Sequence, residues 1–385
     1  MKQGFNRKIR LALDERAEAG LTRCRLPIEH GNDIELSHDG KNYLNFSGND
    51  YLGLANSPEL ITAWQKGLEA YGTGSGASPL VTGYSLAHLE LEQKLADWLG
   101  FEKAVLFNSG FSANQAILFS LLSKHDLLLQ DKLNHASLME AGILSPATMK
   151  RFAHNDLSHL KRLLPNSEQD ALIVTEGVFS MDGDLAPLAE LSELMKERSD
   201  WLMVDDAHGC GVLGQQGRGS CDLAKIKPDM LVVTFGKAFG LSGAAVLCSE
   251  ECADYLMQFS KHHVYSTAMP PAQAHTLSKA IDVIIQDEWR REKLLELGNQ
   301  FEKELVNDCE VTSTQTPIKP LIIGGSYPTV QVATRLKEQG IWTTAIRPPT
   351  VPKDTARLRI TLSASHTPQQ VTQLTTLIKQ ELKRQ

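Results

Sequence analysis

Short apolar runs rich in β-formers recur through the middle of the chain, at Ala104–Phe107, Leu127–Gln130, Ala171–Thr175, Trp201–Val204, Leu231–Phe235 and Ala244–Cys248. Helical stretches lie between them. Strands separated by helices predict an α/β domain, a mainly parallel sheet with helices on both faces. Ahead of it, residues 1 to about 30 place charged and apolar positions at helical spacing and read as a helix and its exit. Asp39-Gly40 then sits between two short extended stretches, as a hairpin turn would. Pro270-Pro271 marks a boundary, followed by a long charged helical stretch from Ala272 to about Asn307 and a segment of alternating strands and helices. The pattern divides the chain into an N-terminal arm (1–47), a large domain (48–270) and a smaller α+β C-terminal domain (271–385).

Composition narrows the partners. Of 385 residues 42% are hydrophobic, enough for a sizeable core, and 39 basic against 46 acidic residues leave a net charge of −7. No Lys/Arg cluster is present to track a phosphate backbone or an anionic membrane, so nucleic acid and membrane partners are not expected. The N-terminal stretch lacks the continuous apolar run of an export signal. The longest apolar stretches, such as Ala116 to Leu122, fall far short of the roughly 20 residues of a membrane span. The six cysteines show neither a CxxC pair nor a metal-ligand spacing, so reduced thiols, a cytoplasmic location and no metal are expected. Cys210 follows a candidate site and reads either as a nucleophile or as a small residue filling space.

In a doubly wound sheet, ligands sit at the carboxyl ends of the strands. That rule selects Asn108-Ser109-Gly110, Glu176, Asp205 and Lys237. Lys237, in Thr234-Phe235-Gly236-Lys237-Ala238-Phe239-Gly240, lies between small, flexible residues. A buried lysine there loses its charge readily and can condense with an aldehyde; the alternative is a surface-turn lysine. A P-loop is excluded, because Ala238 stands where Ser or Thr is required. Asp205 can pair with a pyridinium nitrogen or cap a helix, and His208 can bond a ring substituent or simply sit in a turn. Ser109 to Asn114 enters a helix after a strand, where free N–H groups favour a phosphate. His135, after the second run, can stack on a flat ring or be structural. The run Gly72 to Gly76 follows a helical stretch rather than a strand, which removes the dinucleotide reading and leaves a tight loop at the site's rim.

Together, the order and spacing of these signals resemble the α-oxoamine synthases, a family of fold-type I pyridoxal-phosphate enzymes. The resemblance runs nearly end to end: NFSGNDYLGL at 45–54, GTGSGASPLVTGYSLAHLELE at 72–92, NSGFSANQ at 108–115, DKLNHAS at 131–137, TEGVFSMDGD at 175–184, VDDAHGCGVLG at 204–214, TFGKAFG at 234–240 and RPPTVPKDTARLRITLSASHT at 347–367. Ala77-Ser78-Pro79 and Lys353-Asp354 depart from the family pattern, both as loop changes.

The resemblance implies a mainly parallel seven-stranded sheet and a cofactor, pyridoxal 5′-phosphate (PLP), held by Lys237 as a Schiff base. It implies that Asp205 pairs with the ring nitrogen, His135 stacks on the ring, and Ser180 and His208 bond near the ring oxygen. Gly110, Phe111 and Thr234 would hold the phosphate. Arg359 would hold the amino-acid carboxylate as a bidentate fork, with Thr350, Arg23 and Arg347 near the rest of the substrate. It also implies a homodimer with the site at the subunit interface, where Ser266-Thr267 would reach the partner's phosphate.

Three stretches, TEGVFSMDGDLAPLAE, QGRGSCDLAKIKPDMLVVTFGKAFGLSGAAVLCS and AIRPPTVP, resemble in particular the family member that condenses L-alanine with a pimeloyl thioester. The carrier would be coenzyme A or acyl carrier protein. A family member that uses glycine, and a regulator that binds PLP without turnover, are the alternatives.

Overall fold

The predicted N-terminal helix runs from Gln3 to Glu18 and lies exposed from Gly4 onward in the computed structural model, which describes residues 3–31, 33–165, 170–196, 198–309 and 311–384. β1 (Glu35–His38) and β2 (Lys41–Asn45) form the expected hairpin. Asp39 and Gly40 both adopt left-handed backbone, φ 50 and 67, the combination that a tight turn between twisted strands needs.

The large sheet comprises β3 (Lys103–Phe107), β4 (Leu127–Asp131), β5 (Thr148–Phe152), β6 (Ala171–Glu176), β7 (Trp201–Asp205), β8 (Met230–Thr234) and β9 (Ala244–Cys248), in the order β3-β9-β8-β7-β6-β4-β5. Only β9 runs against its neighbours, pairing antiparallel with β3 and β8. β4, β6 and β9 are buried at every position because helices cover both faces, which is why they read as continuous apolar runs. β5 was absent from the apolar runs. It is an edge strand that carries Lys150 and Arg151, largely exposed, and such charge discourages pairing with a second edge.

The helical stretch after Pro270 is two helices, Pro271–Gln286 and Glu288–Leu305, broken at Asp287. The first packs on the helices Pro58–Tyr71 and Leu86–Leu99, the second on Pro368–Leu382. No proline or glycine announces the break. Its cause is tertiary: successive turns are buried against different neighbours, and Arg290 Nε bonds the Asp287 carboxylate across the bend at 2.9 Å.

Beyond it, β10 (Ile318–Gly324), β11 (Ile341–Trp342), β12 (Thr344–Ile346) and β13 (Ala356–Thr361) complete the chain's strands among the described residues. β13 lies between β10 and β12, while β11 extends the β1–β2 hairpin in parallel with β2. Arg357 and Arg359 share one face of β13, two residues apart. Both reach back to the segment that follows β6, Arg357 to the Asp182 carboxylate and Arg359 to the Ser180 carbonyl. Among the described residues, no helix is long and apolar enough to cross a membrane.

Candidate active site

The carboxyl ends of β3, β4, β6, β7 and β8 open on one pocket with about 830 Å³ of empty space, part of it continuous with solvent. Gly110, Phe111, His135, Asp205, His208, Thr234 and Lys237, selected from the sequence, all line it, as does Glu176.

At one end, Ser109 caps the helix Gly110–Leu121, its hydroxyl accepting from Ser112 N at 3.1 Å. The first helical N–H groups, which have no partner within a helix, therefore open on the pocket. A Cβ on Gly110 would stand 2.5 Å from Thr234 Cγ2, so only glycine lets the helix end approach β8 this closely. Thr234 Oγ1 is buried there without a hydrogen-bond partner. An unpaired buried hydroxyl beside a helix N-terminus suits a bound phosphate.

At the other end, Asp205 closes β7. Its Oδ2 accepts from Asn114 Nδ2 at 2.7 Å and its Oδ1 from Ala207 N at 3.1 Å; Asn114 Nδ2 also donates to Ser137 Oγ. Glu176 is buried with Oε1 unpaired, and burial, reinforced by the Asp205 charge, pushes its carboxyl well above the usual range. His135 caps the helix Ala136–Leu144, its Nδ1 accepting from Ser137 N. Desolvation lowers its pKa, as does the Lys237 charge, while Asp205 opposes the shift.

Lys237 follows β8 in the tight connection to β9. Desolvation lowers its amine to about 8 against the opposing charges of Asp205 and Glu176. Its Nζ lies 2.8 Å from His208 Nε2, and His208 Nδ1 lies 2.6 Å from the Tyr51 hydroxyl. Tyr51 donates to Asn49 Oδ1, which also accepts from Arg359 Nη1, each at 3.2 Å; Arg359 Nε donates to the Ser180 carbonyl at 2.6 Å. His208 is buried and desolvation, aided by the Lys237 charge, pushes its pKa well down, so the ring is neutral. The donors assign its tautomer: Nε2 accepts from the Lys237 ammonium and Nδ1–H donates to Tyr51. One directed chain thus joins the lysine to the arginine. Tyr51→Phe leaves the His208 Nδ1–H unsatisfied in a dry site, a loss of about 1–3 kcal/mol. The expected result is kcat/KM for the amino acid down by about tenfold or more with the fold intact, measured by steady-state kinetics and thermal melting.

Adjacent Asp206 faces the other way. Its carboxylate accepts from Ser220 Oγ at 2.6 Å and Ser220 N at 2.8 Å, organising the loop between β7 and β8, and burial pushes its pKa up to about 7. Cys210 is buried and desolvation pushes its thiol well up, so it fills space rather than acting as a nucleophile.

Other expected residues lie apart from this pocket. Arg347 Nη1 donates to the Gly20 carbonyl at 3.3 Å, tying the N-terminal arm to the turn in which Thr350 N bonds the Arg347 carbonyl. Arg23 is exposed on that arm and Thr350 is exposed in its turn. Ser266 and Thr267 line a separate cavity with Tyr84, His88 and Glu92; Asn108 lines both spaces and donates to the Thr267 carbonyl. The Gly72–Gly76 loop lies beside that cavity, Ser75 Oγ bonding the Ala268 carbonyl. Asn49 and Tyr51 lie outside the residues selected from the sequence, and Asn114 belongs to the Ser109–Asn114 stretch only as part of a helix entry, with no role of its own. Asn49 and Tyr51 sit in a segment remote from the sheet's strand ends, where the only signal is membership of a matched motif, and Asn114 lies inside a helix, where its partner is not legible.

A profile of the aminotransferase class I and II family matches residues 41–378. An 8-amino-7-oxononanoate synthase from Aliivibrio fischeri is 65% identical over 381 residues, covering 99% of this chain and all of that one. The solved structure of an 8-amino-7-oxononanoate synthase from Francisella tularensis is 32% identical with a TM-score of 0.79, over 89% of this chain and 98% of that one. A serine palmitoyltransferase from S. paucimobilis, solved with a bound PLP–myriocin aldimine, superposes with a TM-score of 0.90 at 27% identity over 98% and 97% of the two chains. By its strand-end lysine pocket and by similarity over almost its whole length, the chain belongs to the aminotransferase class I and II family, in the branch of the 8-amino-7-oxononanoate synthases.

Proposed function

We propose that this chain is a PLP-dependent acyltransferase of biotin biosynthesis. It condenses L-alanine with a pimeloyl thioester to give 8-amino-7-oxononanoate, carbon dioxide and the free carrier, coenzyme A or acyl carrier protein. The observation that carries the reading is the hydrogen-bond chain from Lys237 through His208, Tyr51 and Asn49 to Arg359, bordering a pocket with a buried carboxylate at one end and an open helix N-terminus at the other.

The unpaired Thr234 hydroxyl and the close approach at Gly110 fit the cofactor's phosphate, with Phe111 adding a backbone N–H. Lys237 would hold PLP covalently through Nζ. Asp205 would face its ring nitrogen, His135 its ring face, and Ser180 and His208 its ring oxygen. Bound there, PLP supplies an electron sink for the electron pair left at the alanine α-carbon.

The chain's own groups do the rest. Arg359 keeps the end-on donors of Nη1 and Nη2 for the alanine carboxylate, because Nε and one Nη1 hydrogen are already engaged by Ser180 and Asn49. Lys237 takes the α-proton at Nζ. An amine at about 8 holds a fraction unprotonated at neutral pH yet returns the proton readily, and neutral His208 accepts from Nζ while the amine is charged. His135 would assist reprotonation after carbon dioxide leaves.

Arg23, Arg347 and Thr350 border the acyl chain, with the proline pair at 348–349 stiffening that wall. The working form is a cytoplasmic homodimer in which Ser266-Thr267 serve the partner's phosphate.

A thioester series of increasing length, with product masses read at constant alanine, tests the reading. Activity should peak at the seven-carbon acyl group. A maximum at acetyl or succinyl would move the chain to a glycine-using relative. Glycine should react about 10- to 200-fold less well than alanine, the range that one methyl in an apolar pocket allows.

A further inference from the structure

Outside the residues that line the pocket, His154 stands between two carboxylates on different segments. Its Nδ1 is 3.0 Å from Asp131 Oδ1, at the end of β4, and its Nε2 is 2.8 Å from Asp184 Oδ2, in the segment after β6. The Phe179 ring meets it edge to face with centroids 4.4 Å apart. Ionised carboxylates only accept, so hydrogen on both ring nitrogens satisfies both contacts; Asn155 Nδ2, 3.4 Å from Nε2, has its nearer partner in the Asp184 carboxylate at 3.0 Å. A neutral imidazole would turn a lone pair on one of the two.

Each carboxylate holds a loop of the active site. Asp131 accepts from Leu133 N at 2.8 Å and from Asn155 N at 2.9 Å, fixing the turn that delivers His135. Asp184 accepts from Asn155 Nδ2 at 3.0 Å, and its carbonyl accepts from Phe179 N at 3.0 Å, closing the loop that presents Ser180. That loop's Ser180 carbonyl fixes Arg359 Nε, and its Asp182 pairs with Arg357. The mechanism above uses neither His154 nor its partners.

We propose that His154 is a positioning residue: as an imidazolium it staples the His135 loop to the Ser180 loop and so sets the spacing between the ring-stacking group and the carboxylate fork. This rests on the PLP reading of the pocket. The two facing carboxylates raise its pKa to about 9 although burial opposes them. Nearby in the chain, His159 accepts from Ala153 N through Nδ1 and Asp156 caps the helix Leu157–Leu163, while Arg357 engages Asp182. A histidine raised from 6.5 to about 9 on folding contributes stability that is complete below pH 6.5 and lost as pH climbs through 9.

The test compares wild type, His154→Gln and Asp184→Asn by PLP titration of the apo-protein, steady-state kinetics, melting and ring-nitrogen NMR. Gln carries both N–H groups on one nitrogen and so does not span the two carboxylates as the two ring nitrogens do. At pH 7.5 it should weaken PLP binding and raise the alanine KM, each by about tenfold, with kcat less affected. The wild type's advantage should fade above pH 9, where His154 discharges. In Asp184→Asn, a neutral ring can donate to Asp131 and accept from the new amide, at the expense of the Asn155 Nδ2 bond that the same Asp184 oxygen accepts. Its PLP affinity should stay within about threefold of wild type, while the His154 midpoint moves down towards 6.5.

A lower melting temperature in His154→Gln with PLP affinity and alanine KM within twofold of wild type overturns the proposal. So does an advantage that persists unchanged to pH 10. Should His154→Gln fail to fold, the midpoint in Asp184→Asn decides, and an unmoved value overturns it. PLP affinity and NMR need no thioester, so a wrong acyl substrate leaves this test intact. Wild-type protein that takes up no PLP sinks the cofactor reading and this proposal together.

Discussion

Lys237→Ala should abolish turnover, with a loss of about four orders of magnitude or more. The lysine is both the covalent anchor and the group that moves the α-proton, and general acid–base work alone commonly accounts for about 10²–10⁴. The variant should still fold, since Lys237 contributes one hydrogen bond, to His208, and replacing it removes a desolvated amine. Borohydride treatment of the loaded wild type, followed by peptide mapping, should add the cofactor's mass to the peptide that contains Lys237. Mass on another lysine refutes the assignment. The amine's position near 8 adds a pH signature: capture of PLP by the apo-protein should accelerate as pH rises through about 8, because the unprotonated amine attacks the aldehyde. A midpoint near the ordinary 10.4 would mean that the site does not desolvate the lysine.

Asp205→Asn should cost about 10²–10³ in turnover while cofactor binding survives. Asparagine keeps the size, and its single carbonyl oxygen can still accept from Asn114 or from the Ala207 N–H though not from both, but it removes the charge that would hold a ring nitrogen protonated. The direct measurement is exchange of the alanine α-hydrogen in deuterated water without thioester, which isolates the proton-removal step. Near-normal exchange would assign the role elsewhere. The neighbouring Asp206 is a poor substitute, because its carboxylate is spent on Ser220 and the loop behind β7. Asp206→Asn should therefore act on stability far more than on α-hydrogen exchange.

Much of this was written locally. The apolar runs became strands because helices cover both sheet faces, and the strand-end rule found Glu176, Asp205 and Lys237 because parallel strands all point their carboxyl ends to one side. The Asp39-Gly40 turn followed from backbone preference at two adjacent residues. These are properties of short segments, and a short segment suffices to read them.

Other features depend on which segments meet. β5 leaves no mark in the apolar pattern because an exposed edge strand needs no apolar run, and the break at Asp287 leaves none because each half of that helical stretch is buried by a different neighbour. Tyr51 reaches His208 across 157 residues, Asn49 reaches Arg359 across 310, and His154 joins residues from two loops. The sequence alone determined the strand-end lysine and aspartate and the sheet that displays them. Tertiary structure alone decided which partners tune them, because hydrogen bonds and desolvation depend on distances that chain order does not encode.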